Sequence, residues 1–421
     1  MLAGPAAAGK ASTVTAAPDA LPSRTRLLRD SAFRGLWLSR TISFTGDGIT
    51  RTALVLLTAG HGPTAVGLVL LASTVPRFLG PVTGALADRW ERRRLMRGCE
   101  LGQAVMITLI AVTLPPLPIL LVLVLVATTL ATAFAPASAS CVPALVPSKE
   151  LARANALIGT AFNFQVALGP AIGGLAVGLA GPRIAFALDA ATFLASAALL
   201  RGLPRLPPNR RAVSDVAASV WASTLEGLRY VNRSPGLRSL VVALVVFVAF
   251  AAIDNVALVF LVEDELSGSA TAYGLVQGCF GLGMLLASIG LSWLRRTVSS
   301  AVLLVTGAVA GVVGALATAA APGVVAAGAT QAVAGSGNGI DNIAVNTHVQ
   351  RLVPTPMLGR VFGAVNTSAQ VGSGIAYVIS GPLLAALGPR AAFLIAGAGS
   401  ALGLVLLVPA LHARPMTTAT P

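Results

Sequence analysis

The residues that could do chemistry in this chain are charged and amide side chains set inside long apolar runs. Arg40, Asp47 and Arg51 are spaced so that all three share one face of a helix with about 3.6 residues per turn. Arg77 follows Pro76 in the next apolar run. Asp254 and Asn255 sit together in a later one, and Asn338, Asp341, Asn342 and Asn346 occupy another. A charge at the centre of a membrane helix costs about 3 kcal/mol on insertion scales, so each needs a partner or a ligand. The chemistry open to such groups is binding and release of a proton, ion pairing, and capture of a charged small molecule. Asp47 with either Arg51 or Arg77 is the expected buried ion pair, whereas Arg40 has the reach to snorkel to the inner surface. Asp341 lies toward the inner end of its run, where it serves either the site or a gate. Glu100 and Asp189 are expected to be structural.

The composition requires a membrane for these groups to sit in. A 421-residue chain that is 55% hydrophobic and 10% charged, with mean hydropathy +0.83, is too apolar for a set of soluble domains. The net charge of +14 does not imply a nucleic-acid partner, because the arginines fall in short loops between apolar runs and not on one polar surface. Cys99, Cys141 and Cys279 are widely spaced and have no CxxC partner, so they read as buried small hydrophobes. No phosphate-binding Walker motif, metal-ligand spacing or nucleophile constellation is evident, and neither an enzyme nor a cofactor or metal is expected. The scarcity of lysine (Lys10 and Lys149) against abundant alanine, glycine and arginine points to a bacterial source with GC-rich codons.

At about 20 apolar residues per crossing, twelve spans are expected. They fall roughly at 35–58, 64–87, 95–114, 117–138, 155–179 and 182–202, then at 238–262, 270–293, 299–320, 322–346, 360–380 and 389–410. Residues 1–32 read as a disordered cytoplasmic tail, 33–202 and 238–410 as two six-helix halves, 203–237 as a cytoplasmic linker, and 411–421 as a second cytoplasmic tail. Nearly all Lys and Arg fall on one side of this arrangement. Arg183 and Arg390 lie opposite, beside the acidic Glu263, Asp264 and Glu265. Positive residues flanking short loops stay inside, so both termini are expected in the cytoplasm of a bacterial inner membrane.

An internal repeat supports the division. Leu145-Val146-Pro147 recurs as Leu352-Val353-Pro354, Gly181-Pro182-Arg183 as Gly388-Pro389-Arg390, and Gly67-Leu68-Val69 as Gly274-Leu275-Val276, all at an offset of 207 residues. Asp47 pairs with Asp254 in the same register. Such a constant offset implies two homologous halves of parallel orientation. Between them, Val213, Val216, Val220, Leu225 and Leu228 recur at helical spacing. The linker is therefore either an amphipathic helix on the inner membrane surface or a solvated connection.

Gly84, Asp88, Arg89, Arg92 and Arg93 resemble the signature loop of the major facilitator superfamily, with Glu91 where that pattern has glycine. Phe134-Ala135-Pro136-Ala137, Pro143 to Pro147 and Leu151 to Leu157 resemble the enterobactin-exporter and macrolide-efflux branch, as does Glu226 to Val231 in the linker. Gly169, Pro170, Gly173 and Gly174 resemble the core of a motif associated with drug–proton exchange. Gly274, Gly278 and Gly281 offer that segment a partner surface, and ordinary glycine packing is the other reading.

The resemblance implies an all-α membrane protein of twelve transmembrane helices in two six-helix pseudo-symmetric halves, in which spans 1, 4, 7 and 10 line a central cavity. It also implies a monomeric secondary transporter in the lipid bilayer, with a small-molecule substrate and protons as partners. The expected activity is proton-coupled export of an amphipathic drug, macrolide-like product or siderophore, through Asp47, Arg51, Arg77, Asp254, Asn255, Asn338, Asp341 and Asn342. An importer of the same fold and a non-transporting receptor or scaffold are the alternatives. Within the loop, Asp88 would meet the positive N-terminal end of span 11 near Gly359 when the inner side closes. Crosslinks between positions near Asp88 and Gly359 should therefore vary with conformational state, and a state-independent yield would dispose of this latch.

Overall fold

The computed structural model describes residues 27–80, 83, 90–205, 216–293 and 298–411. Gly84, Asp88 and Arg89 of the signature loop, most of the N-terminal tail, residues 206–215 of the linker and residues 412–421 lie outside the described residues. The first half contains α1 (Ser31–Ala59), α2 (Pro63–Ala72), α3 (Arg92–Thr113), α4 (Leu117–Leu145), α5 (Leu151–Ala180) and α6 (Pro182–Leu199). Then come α7 (Val216–Arg233), α8 (Pro235–Phe260), α9 (Ala270–Trp293), α10 (Ser300–Ala319), α11 (Val324–Leu352) and α12 (Leu358–Leu411). No strand occurs among the described residues.

Local chemistry sets the helix boundaries. Asp30 caps α1 by accepting from the amides of Ala32 and Phe33 at 2.9 Å. Glu91 caps α3 in the same way, accepting from Arg93 N and Arg94 N at 3.2 and 3.0 Å. Its φ of −64° is ordinary extended backbone, so this turn does not need the glycine of the signature pattern. Gly62, Gly181 and Gly388 all adopt φ between 77° and 90° with ψ near 170°, and each is followed by a proline. That backbone region is open essentially only to glycine, and proline in the first turn gives up an amide the helix does not use. The repeated Gly-Pro-Arg tripeptide is thus one tight turn used twice.

Four span boundaries differ most from expectation, among them that of span 11, which runs past residue 380 to the break at Gly388. Span 2 is not one helix through residue 79: α2 stops at Ala72 and a 3-10 turn runs over Val75–Leu79. Pro76 interrupts the ladder there, and the hydroxyls of Ser73 and Thr74 bond back to the carbonyls of Val69 and Leu70 at 2.9 Å. Span 4 continues through Pro136 and Pro143 to Leu145. Span 10 continues to Leu352, because Asn346 and Thr347 bond to carbonyls one turn back within the helix.

Among the described residues, eight helices are long and apolar enough to cross a membrane: α3, α4, α5, α6, α8, α9, α10 and α12. At 1.5 Å per residue, the 54 residues of α12 span more than twice the roughly 30 Å hydrocarbon core, and the break at Gly388 makes them two crossings. The long helices α1 and α11 fall below this hydropathy level because they carry Arg40, Asp47 and Arg51, and Asn338, Asp341 and Asn342.

The halves meet through two crossings, α5 on α9 and α2 on α12. A Cβ added at Gly274 would lie 2.5 Å from the Pro170 carbonyl and 2.6 Å from Gly174 Cα. In the symmetric crossing, Gly67 faces the Tyr377 carbonyl, and a Cβ at Gly381 would lie 2.6 Å from Thr64 Cα. On its other side α5 meets α1, where a Cβ at Gly169 would lie 2.7 Å from Gly48 Cα. The apolar cluster joining the halves, which includes Val55, Leu70, Val256, Phe260 and Tyr273, lies at the end that the charge count assigns to the outside. At the opposite end, the clusters around Met96 and around Val349 each stay within one half.

Gly174→Val and Gly274→Val should each lower the midpoint of thermal unfolding, by the equivalent of about 1–3 kcal/mol for overpacking. Gly290→Ala, where no heavy atom lies within 4 Å of the added carbon, should leave it unchanged.

Candidate functional site

A cavity of about 360 Å³ opens inside the second half. It runs from Asp254 and Tyr377, near the sealed end, toward Asn346 and Phe362. Helices α8, α9, α10, α11 and α12 all contribute to its wall. Asp254, Asn255, Asn338, Asp341 and Asn342 all line it, so five of the expected site residues come together. The expectation that spans 1 and 4 share this wall is not met, because none of the lining residues comes from the first half. In span 4, Thr129 and Thr132 turn their hydroxyls back to the carbonyls of Leu125 and Thr128.

Gln331 on α11 donates from Nε2 to both carboxylate oxygens of Asp254 at 3.2 Å. This amide is almost fully buried, and it fixes the orientation of the acid on α8. Asp341 lies beside Gly307 of α10, where a side chain would collide with the carboxylate. Asn342 donates to the side-chain oxygen of Asn338 at 3.0 Å, which orders one polar edge along α11. Phe247, Phe280 and Phe362 supply apolar wall, and Asn366 and Tyr377 add polar groups from α12. Sequence reading missed Gln277, Gln331 and Asn366, since lone amides in apolar runs carry no motif. Gln331, seven residues before Asn338 in the same run, had a helical-spacing signal; Gln277 and Asn366 share no run with an acid and had none.

The lining contains two carboxylates and neither arginine nor lysine. Burying negative charge without a counter-charge is costly, so these carboxylates set the electrostatic character of the cavity.

Asp47, Arg51 and Arg77 form a separate group in the first half. The expected ion pair of Asp47 with Arg51 or Arg77 does not form: the ion pairs within 4 Å among the described residues are Arg94–Glu91, Arg360–Glu226 and Arg390–Glu265. The reason is reach across the interface. Arg51 Nη2 donates instead to Asn255 Oδ1 in the other half at 3.1 Å. Arg77, on the 3-10 turn, is exposed and within electrostatic range of Asp47, Arg51 and Tyr377. Arg40 does not snorkel. Its guanidinium stacks 4.3 Å from the Phe44 ring centroid and 5.5 Å from that of Phe134.

Of the signature loop, Arg93 Nη1 donates to the Leu203 carbonyl at 2.8 Å, which ties the start of α3 to the end of span 6. Arg92 opens α3. Gly169, Pro170, Gly173 and Gly174 lie at the crossings already described, with Thr271 donating to the Gly174 carbonyl at 3.4 Å. Arg390, one of the two arginines expected on the outer side, pairs with Glu265.

Known proteins agree with this architecture. A family profile described as "Transmembrane secretion effector" matches residues 23–418. The MFS-type transporter YfiS of Bacillus subtilis is 29% identical over 373 residues, covering 86% of this chain and 89% of the relative. The multidrug efflux pump Tap of Mycolicibacterium fortuitum is 27% identical over 83% of this chain and 88% of its own length. Macrolide efflux protein A of Streptococcus pyogenes is 21% identical over 66% and 70%. Among solved structures, a bacterial homologue of the iron transporter ferroportin in its inward-facing state superposes with a TM-score of 0.70 at 15% identity. That match covers 92% of this chain and all of the other.

Asn255→Ala removes the hydrogen bond from Arg51, one of those that cross between the halves. The population closed at the sealed end should fall severalfold, the effect of about 1 kcal/mol. Distances between spin labels on the outer ends of α1 and α8 would register the change.

Proposed function

Because the chain belongs to the transmembrane secretion effector family of the major facilitator superfamily, a family of membrane transporters with efflux pumps among its relatives, we propose that it exports a cationic amphipathic small molecule in exchange for protons. The observation that carries this reading is the cavity with Asp254 and Asp341, three phenylalanines and no basic residue. An apolar wall binds the body of such a molecule, and the carboxylates bind its charge. Either a proton or the substrate cation neutralises Asp254, and the two compete for it. Such competition is the requirement for exchange transport.

Alternating access follows from the two glycine crossings. α5 on α9 and α2 on α12 touch through backbone, with few interlocking side chains, so one half can rock against the other about these lines. Arg51 is the reporter of this motion. When the sealed end opens, its bond to Asn255 breaks and its charge becomes free to act on Asp47. In this reading Asp47 carries protons and the second-half cavity carries substrate, in a bacterial inner membrane with both termini in the cytoplasm. A catecholate siderophore anion finds no basic side chain in the lining, which favours the cation among the candidates.

The test is uptake of a fluorescent lipophilic cation into inside-out vesicles under an imposed proton gradient. Wild type should show gradient-driven uptake, Asp254→Asn should lose about tenfold or more, and Asp47→Asn should lose the gradient dependence. Uptake of a catecholate anion that depends on Arg51 or Arg77 would overturn the substrate assignment. Unchanged coupling in Asp47→Asn would overturn the role given to that residue.

A further inference from the structure

The first half contains a second group of acids that the cavity does not use. Glu100 on α3 and Asp189 on α6 are both 0% exposed, and α6 packs against both α1 and α3. Both carboxylate oxygens of Glu100 and one of Asp189 are buried with no hydrogen-bond partner among the described residues. The other Asp189 oxygen accepts from Thr192 Oγ1 at 3.0 Å. Gly46 on α1 makes the room: a side chain there would run into the Asp189 carboxylate and the Thr192 hydroxyl. That glycine precedes Asp47, so the acid on α6 lies against the turn of α1 that carries the half-buried Asp47.

In such a place a carboxylate has only neutral hydroxyls beside it, those of Ser43 and Ser196 near Glu100 and of Thr50 and Thr192 near Asp189, and no cation in contact. The charges within range from α1 are Arg40 and Asp47, and those from α3 and α6 are Glu100 and Asp189 themselves. Cys99 adjoins Glu100 on α3, and α4, on the far side of α3, supplies no charged residue. Two guanidiniums are in range of this set, Arg40 and, from the 3-10 turn beside Asp47, Arg77. Neither forms an ion pair within 4 Å, and Arg40 Nε is without a hydrogen-bond partner. Two guanidiniums do not neutralise three carboxylates. Nor do the acids converge as metal ligands, since no group of three His, Cys, Asp or Glu side chains arranged for a metal ion occurs among the described residues.

The fold does not require these acids. At the repeat offset, Glu100 corresponds to Gly307 and Asp189 to Ala396, and the second half packs the equivalent helices without them. We infer that Glu100 and Asp189 form a second proton-binding site, buried between α1, α3 and α6, which loads and unloads through Asp47. Each transfer breaks the O–H bond of one carboxylic acid and forms that of its neighbour, so no co-reactant is needed. Arg40, held over Phe44 and Phe134, supplies the positive charge that lets one acid of the set ionise at a time. The site deepens the proton-coupled reading above and rests on it only for its use in transport.

Infrared spectroscopy of the full-length protein in an ester-free detergent tests the site, because a neutral carboxylic acid has a carbonyl band distinct from that of a carboxylate. Wild type should show this band at neutral pH, where surface acids are ionised, and Glu100→Gln and Asp189→Asn should each remove intensity from it. If those variants do not fold, a variant with Asp47→Asn, Asp254→Asn, Asp341→Asn and Glu263→Gln carries the same test, since the band it retains is then assigned to Glu100 and Asp189. Absence of the band there, or bands unchanged in both single variants, overturns the site. Protonated Glu100 or Asp189 in a protein whose flux ignores the proton gradient would sustain the site and remove the exchange mechanism. Gradient-driven flux with both acids ionised would do the reverse.

Discussion

The two halves touch where glycine lets one helix backbone lie on another. At α5 on α9 the close pair is Gly174 and Gly274, with Pro170 lending its carbonyl. At α2 on α12 it is Gly67 with Tyr377 and Gly381 with Thr64. The positions correspond at the repeat offset: Gly67 with Gly274, Pro170 with Tyr377, Thr64 with Thr271, and Gly174 with Gly381. One contact, built once, is therefore used twice around a pseudo-twofold axis. In lipid, where apolar side chains gain little from leaving one hydrocarbon for another, close backbone approach and dispersion are the main attractions available between helices. The rest of the packing between the halves is hung on these two lines.

Within that symmetric frame the charges are arranged asymmetrically. The second half opens a cavity with Asp254 and Asp341 on its wall, whereas the first half closes around Glu100 and Asp189. At the repeat offset Gly307 stands for Glu100 and Asp341 for Phe134, so the acid sits on opposite partners of the equivalent helix pair. Arg40 likewise corresponds to Phe247, a cavity-wall residue. The two halves share a backbone plan and differ in charge: one lines a cavity with apolar wall and carboxylates, and the other buries acids within range of Arg40 and Arg77. Arg51 spans the division by reaching Asn255.

Much of the architecture could be read directly from residue types. Hydropathy and the arginine pattern gave the crossings and their expected orientation, and the 207-residue offset gave the two halves. Gly274 and Gly278 were legible as the partners of the Gly169–Gly174 segment because small residues at helical spacing have few other uses in lipid. The acids of α8 and α11 were legible for the opposite reason: a charge in an apolar run is costly enough to demand a purpose. Less legible were the positions where a local rule has two outcomes. Pro76 split span 2, while Pro136 and Pro143 passed within α4. Glu91 looked like a departure from a loop pattern and turned out to be a helix cap.

The sequence by itself determined the membrane class, the helical content, the repeat and the identity of the polar residues, since each follows from composition, spacing or the cost of placing charge in hydrocarbon. The tertiary structure alone decided which of those polar groups meet. Helical spacing places Asp47 and Arg51 on one face, but side-chain reach sends the guanidinium across to Asn255. The same spacing cannot reveal that Gln331 holds Asp254, nor that Gly46 makes room for Asp189. These are contacts between residues far apart in the chain, and they are fixed only when the helices have crossed at their glycines and set the distances between faces.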